Sequence, residues 1–187
     1  MKVKTPRLRR PNTPFGGLKS TLKGSTNKDS RRLSGLRAGQ IRIRDLDRVL
    51  EIEKASFGAD AWERKLFADS LEAGDLLLGA WRDGKLTGYL LAAEGKRRAE
   101  LLSLAVDPAA RRLGAASLLL NRAMSRLRRH GMAGIWLMVK TGNRAAEQCY
   151  EKFGFRRTRR VKKYYEDGAD GWRMELEFRG KSIPPKR

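Results

Sequence analysis

The chain has 187 residues, of which 40% are hydrophobic and 34% are charged, a balance that fits one soluble globular domain. No apolar run approaches the roughly 18 residues of a membrane-spanning helix, and none follows the basic N-terminus as a secretory signal would require. Cys149 and His130 are the only residues of their types, which excludes an internal disulfide and leaves too few ligands for a Cys/His zinc site. We therefore expect no metal and no membrane contact, with a reducing, cytoplasmic location as the default.

The net charge of +21 is spread unevenly along the chain. Residues 1–38 hold eleven Lys and Arg residues and one acid, Asp29, among many Pro, Gly, Ser and Thr residues. Such a segment buries too little apolar surface to offset its ordering entropy, so a disordered basic tail is predicted. Three roles stay open for it: none, an electrostatic contact with RNA or the ribosome, or transit into an organelle. A folded domain is predicted over residues 39–180 and a short basic tail over 181–187.

The first half of the domain predicts a strand, two helices and a hairpin. From Gln40, "QIRIR" alternates apolar and polar residues as a short strand does, and Asp45 is expected to cap the amphipathic helix that follows. The segment "AWERKLFADSLEAG" predicts a second helix that ends at Gly74. The apolar segments "DLLLGAWR" and "KLTGYLLAAE" flank Asp83-Gly84 and predict a β-hairpin.

The second half predicts strands alternating with helices. "AELLSLAV" is a strand that stops before Pro108, and a long helix follows from about Arg112 to His130. "AGIWLMVK" predicts a buried strand, "NRAAEQCYEKFGF" a short helix capped by Asn143, and "FRRTRRVKK" and "WRMELEF" two more strands. The unit over residues 101–140 should pair its strands in parallel through a right-handed crossover. The predicted fold class is α/β, with a mixed, mostly antiparallel sheet and helices on both faces.

Between the strand before Pro108 and the long helix lies the hexapeptide Arg111-Arg112-Leu113-Gly114-Ala115-Ala116. A glycine-bearing turn that enters a helix presents unpaired backbone N–H groups, and the helix dipole adds positive potential. Arginines at a helix N-terminus oppose the dipole, which favours an anion such as pyrophosphate at this end. The hexapeptide lacks the further glycines of dinucleotide-binding loops, so by itself it is equally consistent with an ordinary helix start.

The elements around this loop resemble the GNAT superfamily of N-acetyltransferases, whose acetyl-CoA loop reads Arg/Gln-x-x-Gly-x-Gly/Ala. Here Arg111-x-x-Gly114-x-Ala116 follows the strand end "LAVDP". Within the superfamily the chain is most similar to the RimI-like enzymes that acetylate the N-terminal alanine of ribosomal proteins. That similarity lies in "NRAAEQCYEKFGF", in "YYEDGADGWRMEL", and in Ala61-Trp62 where those enzymes have Pro-Trp. It covers about residues 40–179 and implies direct transfer of acetyl from acetyl-CoA to an amine in a ternary complex.

The resemblance also implies which residues hold acetyl-CoA. Backbone amides of the loop and first helical turn would hold the pyrophosphate. The preceding strand would hydrogen-bond the pantetheine arm, and one of its amides would polarise the thioester carbonyl. Asn143 would contact the pantetheine or fix the next helix. The implied cofactor-binding residues are Leu104, Ala105, Val106, Arg111, Arg112, Leu113, Gly114, Ala115, Ala116, Ser117 and Asn143.

Tyr150 is implied to protonate the leaving thiolate. A phenol with a pKa of about 10 enters neutral and can donate a proton to a group with a pKa of about 8.5. The alternative is that Tyr150 is a core aromatic residue of the last helix. The adjacent Cys149 is predicted to pack in the core, because direct attack by an amine needs no acyl-enzyme.

The general base is less clearly marked. RimI-like enzymes usually place Glu on the strand after the long helix, where this chain has Leu137-Met138-Val139, and methionine cannot accept a proton. Histone-type members carry a catalytic Glu six residues before the strand-end hydrophobic residue, which is the position of Glu100 relative to Val106. Glu100 is therefore hypothesised to accept the proton, directly or through water. Alternatively it is a strand-end carboxylate paired with Arg97 or Arg98.

The acceptor is expected to be a protein N-terminus. At pH 7 roughly a tenth of α-amines are neutral but far fewer than about a thousandth of lysines, so a weakened base position favours the α-amine. Tyr164 and Tyr165 match paired tyrosines that close over the acceptor's first residues, with Trp62 opposite; ordinary core packing is the alternative. The six bases between Arg156 and Lys163 either protect an edge strand or contact an acidic peptide or ribosomal RNA. A lysine or small-molecule acetyltransferase and a catalytically weak ribosome- or RNA-binding member remain as alternatives.

Overall fold

The computed structural model describes residues 35–178, so the tail over 181–187 and most of the predicted N-terminal tail lie outside the described residues. Within that range the chain forms seven strands and four helices. The strands are β1 (Leu36–Gln40), β2 (Leu76–Arg82), β3 (Lys85–Glu94), β4 (Arg98–Val106), β5 (Gly134–Lys140), β6 (Arg156–Val161) and β7 (Gly171–Glu177). The helices are α1 (Leu46–Phe57), α2 (Arg64–Glu72), α3 (Ala115–Arg129) and α4 (Arg144–Lys152).

All seven strands belong to one sheet, in the order β1-β2-β3-β4-β5-β7-β6. Every neighbouring pair is antiparallel except β4 and β5, which are parallel and are joined through α3. The predicted mixed, mostly antiparallel sheet with one parallel strand–helix–strand unit is confirmed. Because β6 follows α4 and then pairs outside β7, it is the edge strand at that end of the sheet.

The helices cover both faces of the sheet and bury two separate cores. On one face α3 and α4 contribute a cluster with Leu119, Leu120 and Leu127 fully buried. On the other face α1 and α2 bury Leu46 and Phe67 against β2 and β3. The apolar stripes that recur every three or four residues in each helix direct these faces inward. None of the described helices is long and apolar enough to cross a membrane.

The first strand differs from its prediction. β1 spans Leu36–Gln40 and ends where the predicted strand begins, so the predicted domain boundary between residues 38 and 39 falls inside it. Ile41 is buried and its N–H donates to Leu77 O at 3.1 Å, but Ile43 is 56% exposed in a 3-10 turn. Local alternation was therefore a misleading signal, because pairing with β2 decides which residues extend.

Two helix starts also differ from prediction. Asp45 makes no side-chain bond to the α1 N-terminus; its Oδ2 accepts the N–H of Arg42 at 2.8 Å and closes the preceding 3-10 turn. Helix α3 begins at Ala115 rather than at Arg112. Arg112 and Gly114 have φ angles of 65° and 91°, and this left-handed backbone cannot continue a right-handed helix.

Other local signals are confirmed. The hairpin turn at Asp83 and Gly84 has φ angles of 50° and 79°, as a two-residue turn with both central residues left-handed requires. Asn143 caps α4, its side-chain oxygen accepting the N–H of Ala146 at 3.2 Å. These features depend on neighbouring residues alone, which is why the sequence pattern predicts them.

Candidate active site

The site forms where the two parallel strands separate. The described pairing of β4 with β5 covers only Arg98–Leu101 and Gly134–Leu137, although both strands continue further. On the other side of β4, Leu91 pairs with Ser103 and Ala92 with Leu101, so Leu102 is the extra residue of a β-bulge. A bulge bends its strand and increases the local twist. The bend directs the rest of β4 away from β5 and opens a wedge between them.

The open edge of β4 contains the predicted pantetheine-binding residues. Leu104, Ala105 and Val106 follow the bulge and pair with β3 on one side. An extended ligand could therefore bond to the other side in the manner of an added strand. Arg111 bends back toward this edge, and its Nε donates to Val106 O at 3.2 Å.

Asp107 fixes the end of β4 and the entry to the loop. Its Oδ1 accepts the N–H of Ala109 at 3.0 Å, and its other oxygen bonds the guanidinium of Arg48 on α1. The Nε of Arg48 also donates to Leu86 O at 3.1 Å, which ties α1 to β3. Although partial burial opposes ionisation, the bonds from Ala109 and Arg48 hold the pKa of Asp107 below its ordinary value.

The loop leads into the N-terminus of α3, whose first backbone N–H groups have no partner within the helix. Gly114 adopts the left-handed conformation, and its carbonyl accepts the N–H of Leu118 at 2.9 Å to begin α3. The N–H groups of the first helical turn, residues 115–117, have no acceptor within the helix. Arg82 donates to Leu113 O at 3.3 Å and holds the loop. This arrangement can bind an anion beside the open edge of β4, where a phosphate-bearing extended ligand needs it.

A cavity lies in the wedge. It is lined by the predicted catalytic residues and by the residues predicted to contact the acceptor, which come from distant segments of the chain. We call it the inner cavity. It is lined by Trp62, Glu100, Leu101, Leu102, Ser103, Leu104, Leu137, Met138, Tyr150, Tyr164 and Tyr165. The structure therefore brings together the side chains predicted to act as general acid and general base and those predicted to contact the acceptor.

Tyr150 both packs in the core and lines the inner cavity. It is 3% exposed, and its ring lies 5.6 Å from that of Phe155 in a T-shaped arrangement. The adjacent Cys149 is buried in the same core, and burial raises the pKa of its thiol to about 11. A thiol with that pKa is neutral at pH 7, and Cys149 is not among the residues that line the inner cavity. These facts support the packing role predicted for Cys149.

Aromatic rings form two walls of the inner cavity. Tyr164 and Tyr165 meet edge to face with centroids 5.1 Å apart, and Tyr165 is buried. A turn holds the pair, because the N–H of Tyr165 donates to Ala169 O at 3.0 Å. On the other wall Trp62 packs against Phe67 with centroids 6.1 Å apart.

A buried carboxylate that the sequence analysis missed supports this site. Glu53 on α1 is fully buried, and its Oε1 accepts the backbone N–H of Trp62 at 3.0 Å. Its other oxygen accepts the hydroxyl of Tyr89, which lies 2.8 Å from Ser103 Oγ. Because Trp62 and Ser103 both line the inner cavity, Glu53 links its acceptor wall to β4. The sequence signal for this role was the position of Glu53, four residues after Val49 on the apolar face of α1.

The inner cavity opens into a larger outer groove, and Glu100 lies at the junction. Five residues line both spaces: Trp62, Glu100, Leu102, Met138 and Tyr164. One wall of the outer groove comes from α2 and the loop before it, and the opposite wall from β6, β7 and their connection. Arg98, considered above as a partner of Glu100, forms ion pairs with Glu175 and Glu177.

A sheet whose parallel pair separates beside a helix N-terminus that could accept an anion is the architecture of an acetyltransferase. The family model for the Acetyltransferase (GNAT) family matches residues 46–155, more than half of the chain, and the protein belongs to this family. It is an N-acetyltransferase that uses acetyl-CoA as donor, as the resemblance predicted.

Individual proteins within this family are also similar to the chain. The [Ribosomal protein bS18]-alanine N-acetyltransferase of Escherichia coli K12 is 31% identical over 121 residues, which cover 65% of this chain and 81% of that protein. The crystal structure of the ribosomal-protein-S18-alanine N-acetyltransferase from Escherichia coli has a TM-score of 0.73 at 27% identity and covers 81% of this chain and 99% of its own. Arabidopsis thaliana Naa50, solved with the bisubstrate analogue CoA-Ac-MVNAL, has a TM-score of 0.69 at 25% identity and covers 77% and 99%.

Proposed function

We propose that the protein acetylates the N-terminal amine of another protein. The observation that carries this proposal is the shape of the site, in which a small aromatic-walled cavity opens into a larger groove. A chain terminus fits this arrangement, since its amine can enter the inner cavity while the following residues lie along the groove. The names of the Escherichia coli relative and of the Arabidopsis complex support an N-terminal acceptor.

The donor is proposed to lie along β4 with its pyrophosphate at the start of α3. Backbone groups of Leu104 and Val106 would hold the pantetheine arm, because those of Ala105 between them face β3. The pyrophosphate would meet the amides of Leu113, Gly114, Ala115, Ala116 and Ser117, with Arg111 and Arg112 beside them. Asn143 caps α4 and so holds in place the helix that carries Tyr150.

The chemistry is direct transfer. The neutral amine attacks the thioester carbonyl carbon, the carbon–sulfur bond breaks, and the amine loses a proton. Tyr150 donates a proton to the departing sulfur, and Glu100 accepts the amine proton directly or through water. Glu100 lies on β4, whereas Met138 lies on the neighbouring strand β5. The proposed base therefore comes from β4 and not from β5.

A panel of acceptors tests the proposed function. With acetyl-CoA as donor, a peptide beginning Ala-Arg-Tyr should be acetylated at its N-terminus, as located by mass spectrometry. The same peptide with a blocked N-terminus and an internal lysine should react far more slowly, as should a polyamine. Acetylation of lysine or the polyamine alone would contradict the proposal. Salt-sensitive RNA binding without any acetylation would instead favour a binding protein.

Glu100→Gln is expected to lower kcat/KM at pH 7 by about 10²-fold, within the range for loss of a general base. The loss should shrink as the pH rises past the pKa of the acceptor amine, because more of that amine then arrives neutral. The measurement is a pH–rate profile of both enzymes. Glu72→Gln, which removes an exposed carboxylate outside both spaces, is the matched control. A Glu100→Gln profile that coincides with that of the wild type would exclude the base role.

A further inference from the structure

One wall of the outer groove carries three exposed cations that are not paired with carboxylates, beside Arg173, which pairs with Glu175 at 2.6 Å. Arg159 from β6 and Lys162 and Lys163 just after it are all exposed and all line the groove. Among residues 35–178, none of the three side chains has an acidic group within ion-pair distance. The backbone of Lys163 is held in place, since its N–H donates to Asp170 Oδ1 at 2.8 Å.

Two other arginines of the same strand behave differently. Arg157 pairs with Glu147 at 2.7 Å and Glu151 at 3.0 Å, and Arg160 pairs with Asp170 at 2.8 Å. Neither arginine lines the groove. Of the four cations over residues 156–163 that make no ion pair within residues 35–178, three line the groove and Arg156 does not. This distribution favours a ligand-binding role for those three.

The opposite wall carries carboxylates, of which Asp69 is compensated by a cation on its own helix. Both oxygens of Asp69 lie 2.9 Å from the ammonium of Lys65 on the same helix. Burial raises the pKa of Asp75 above its ordinary value. Glu63 is exposed at the start of α2, and Glu100 lies at the junction with the inner cavity. A chain with a positive N-terminus and acidic side chains a few residues later would match these charges.

Resting on the proposed function, we infer that the acceptor is a protein N-terminus whose third to sixth residues include acidic side chains, which contact Arg159, Lys162 and Lys163. The first two residues occupy the inner cavity and its mouth. The following residues lie along the basic wall of the outer groove. This acceptor class differs from a basic N-terminus, which the same wall would repel.

Two peptides that share their first two residues test this inference. One carries Glu and Asp at the third to sixth positions and the other carries Lys. The acidic peptide should have a kcat/KM about tenfold higher, mainly through a lower KM, as expected for several exposed charge pairs. The difference should fall as salt rises toward about 1 M, where charges are screened over a few ångströms.

Two triple variants distinguish the effect of the groove's basic wall on this preference from the effect of the protein's overall charge. R159Q/K162Q/K163Q should remove the preference, whereas R44Q/K96Q/R129Q should keep it, because those three exposed cations line neither space. Equal rates on both peptides, faster reaction of the Lys peptide, or a preference that survives R159Q/K162Q/K163Q would each overturn the inference. N-terminal acetylation of neither peptide would refute the proposed function itself.

Discussion

Gly114→Val is expected to abolish measurable acetyl-CoA binding while the domain stays folded. Gly114 has φ near 91°, a conformation that a β-branched residue strongly disfavours. Relief of that strain would turn the amides at the start of α3 away from a bound pyrophosphate. Hydrogen bonds to charged groups contribute about 1.5–3 kcal/mol each, so losing two should lower affinity roughly 10²–10⁴-fold. Isothermal titration with acetyl-CoA measures the change.

Gly131→Val is the matched control. Gly131 lies at the other end of α3 with φ near 78°, and a Cβ there would meet no atom within 4 Å. Both variants should lose comparable thermal stability, but Gly131→Val should bind acetyl-CoA as the wild type does. Gly114→Ala introduces less strain and should bind with intermediate affinity. Wild-type affinity in a folded Gly114→Val variant would refute the pyrophosphate assignment.

Tyr150→Phe is expected to lower kcat by about 10²-fold or more, as loss of a general acid does. The affinity for acetyl-CoA should be unchanged, because the substitution removes only the hydroxyl and keeps the ring packed on Phe155. Steady-state kinetics at saturating substrates give kcat, and titration gives the affinity. A purely structural role for Tyr150 predicts a lower melting temperature with little change in kcat.

Cys149→Ala distinguishes direct transfer from an acyl-enzyme route. Cys149 precedes Tyr150 on α4 and is buried with a pKa of about 11, so its thiol is neutral at pH 7. The variant should therefore retain the wild-type kcat. Loss of activity in Cys149→Ala together with retained activity in Tyr150→Phe would point to a covalent intermediate on sulfur.

Local signals predicted most of the secondary structure because they act between near neighbours. The turn at Asp83-Gly84 and the cap at Asn143 depend on a few residues each, and both are as predicted. The failures have different causes. Asp45 bonds the N–H of Arg42, three residues before it, so a local turn replaces the predicted cap. β1 is placed by a distant partner, since it pairs with β2. An alternating pattern cannot reveal a partner strand that lies far along the chain.

In the candidate site, too, contiguous motifs were predictable from the sequence and contacts between distant residues were not. The loop from Arg111 to Ala116 was recognisable because it resembles a short family motif of glycine and small residues, which are contiguous in the sequence. Glu53 escaped notice because its function in the structure is to bond Trp62 and Tyr89, neither of which lies next to it in the sequence. A single glutamate on an apolar helix face has no recognisable motif.

The sequence by itself determined the order of elements, the family and the donor, since each follows from short-range periodicity or from contiguous motifs. Tertiary structure alone decided where β4 leaves β5, because that separation depends on the bulge at Leu102 and on the register with β3. It also decided that Trp62, Glu100 and Tyr164 meet at one junction. Contacts between distant segments depend on strand register and on the packing of the whole sheet, and no local pattern encodes them.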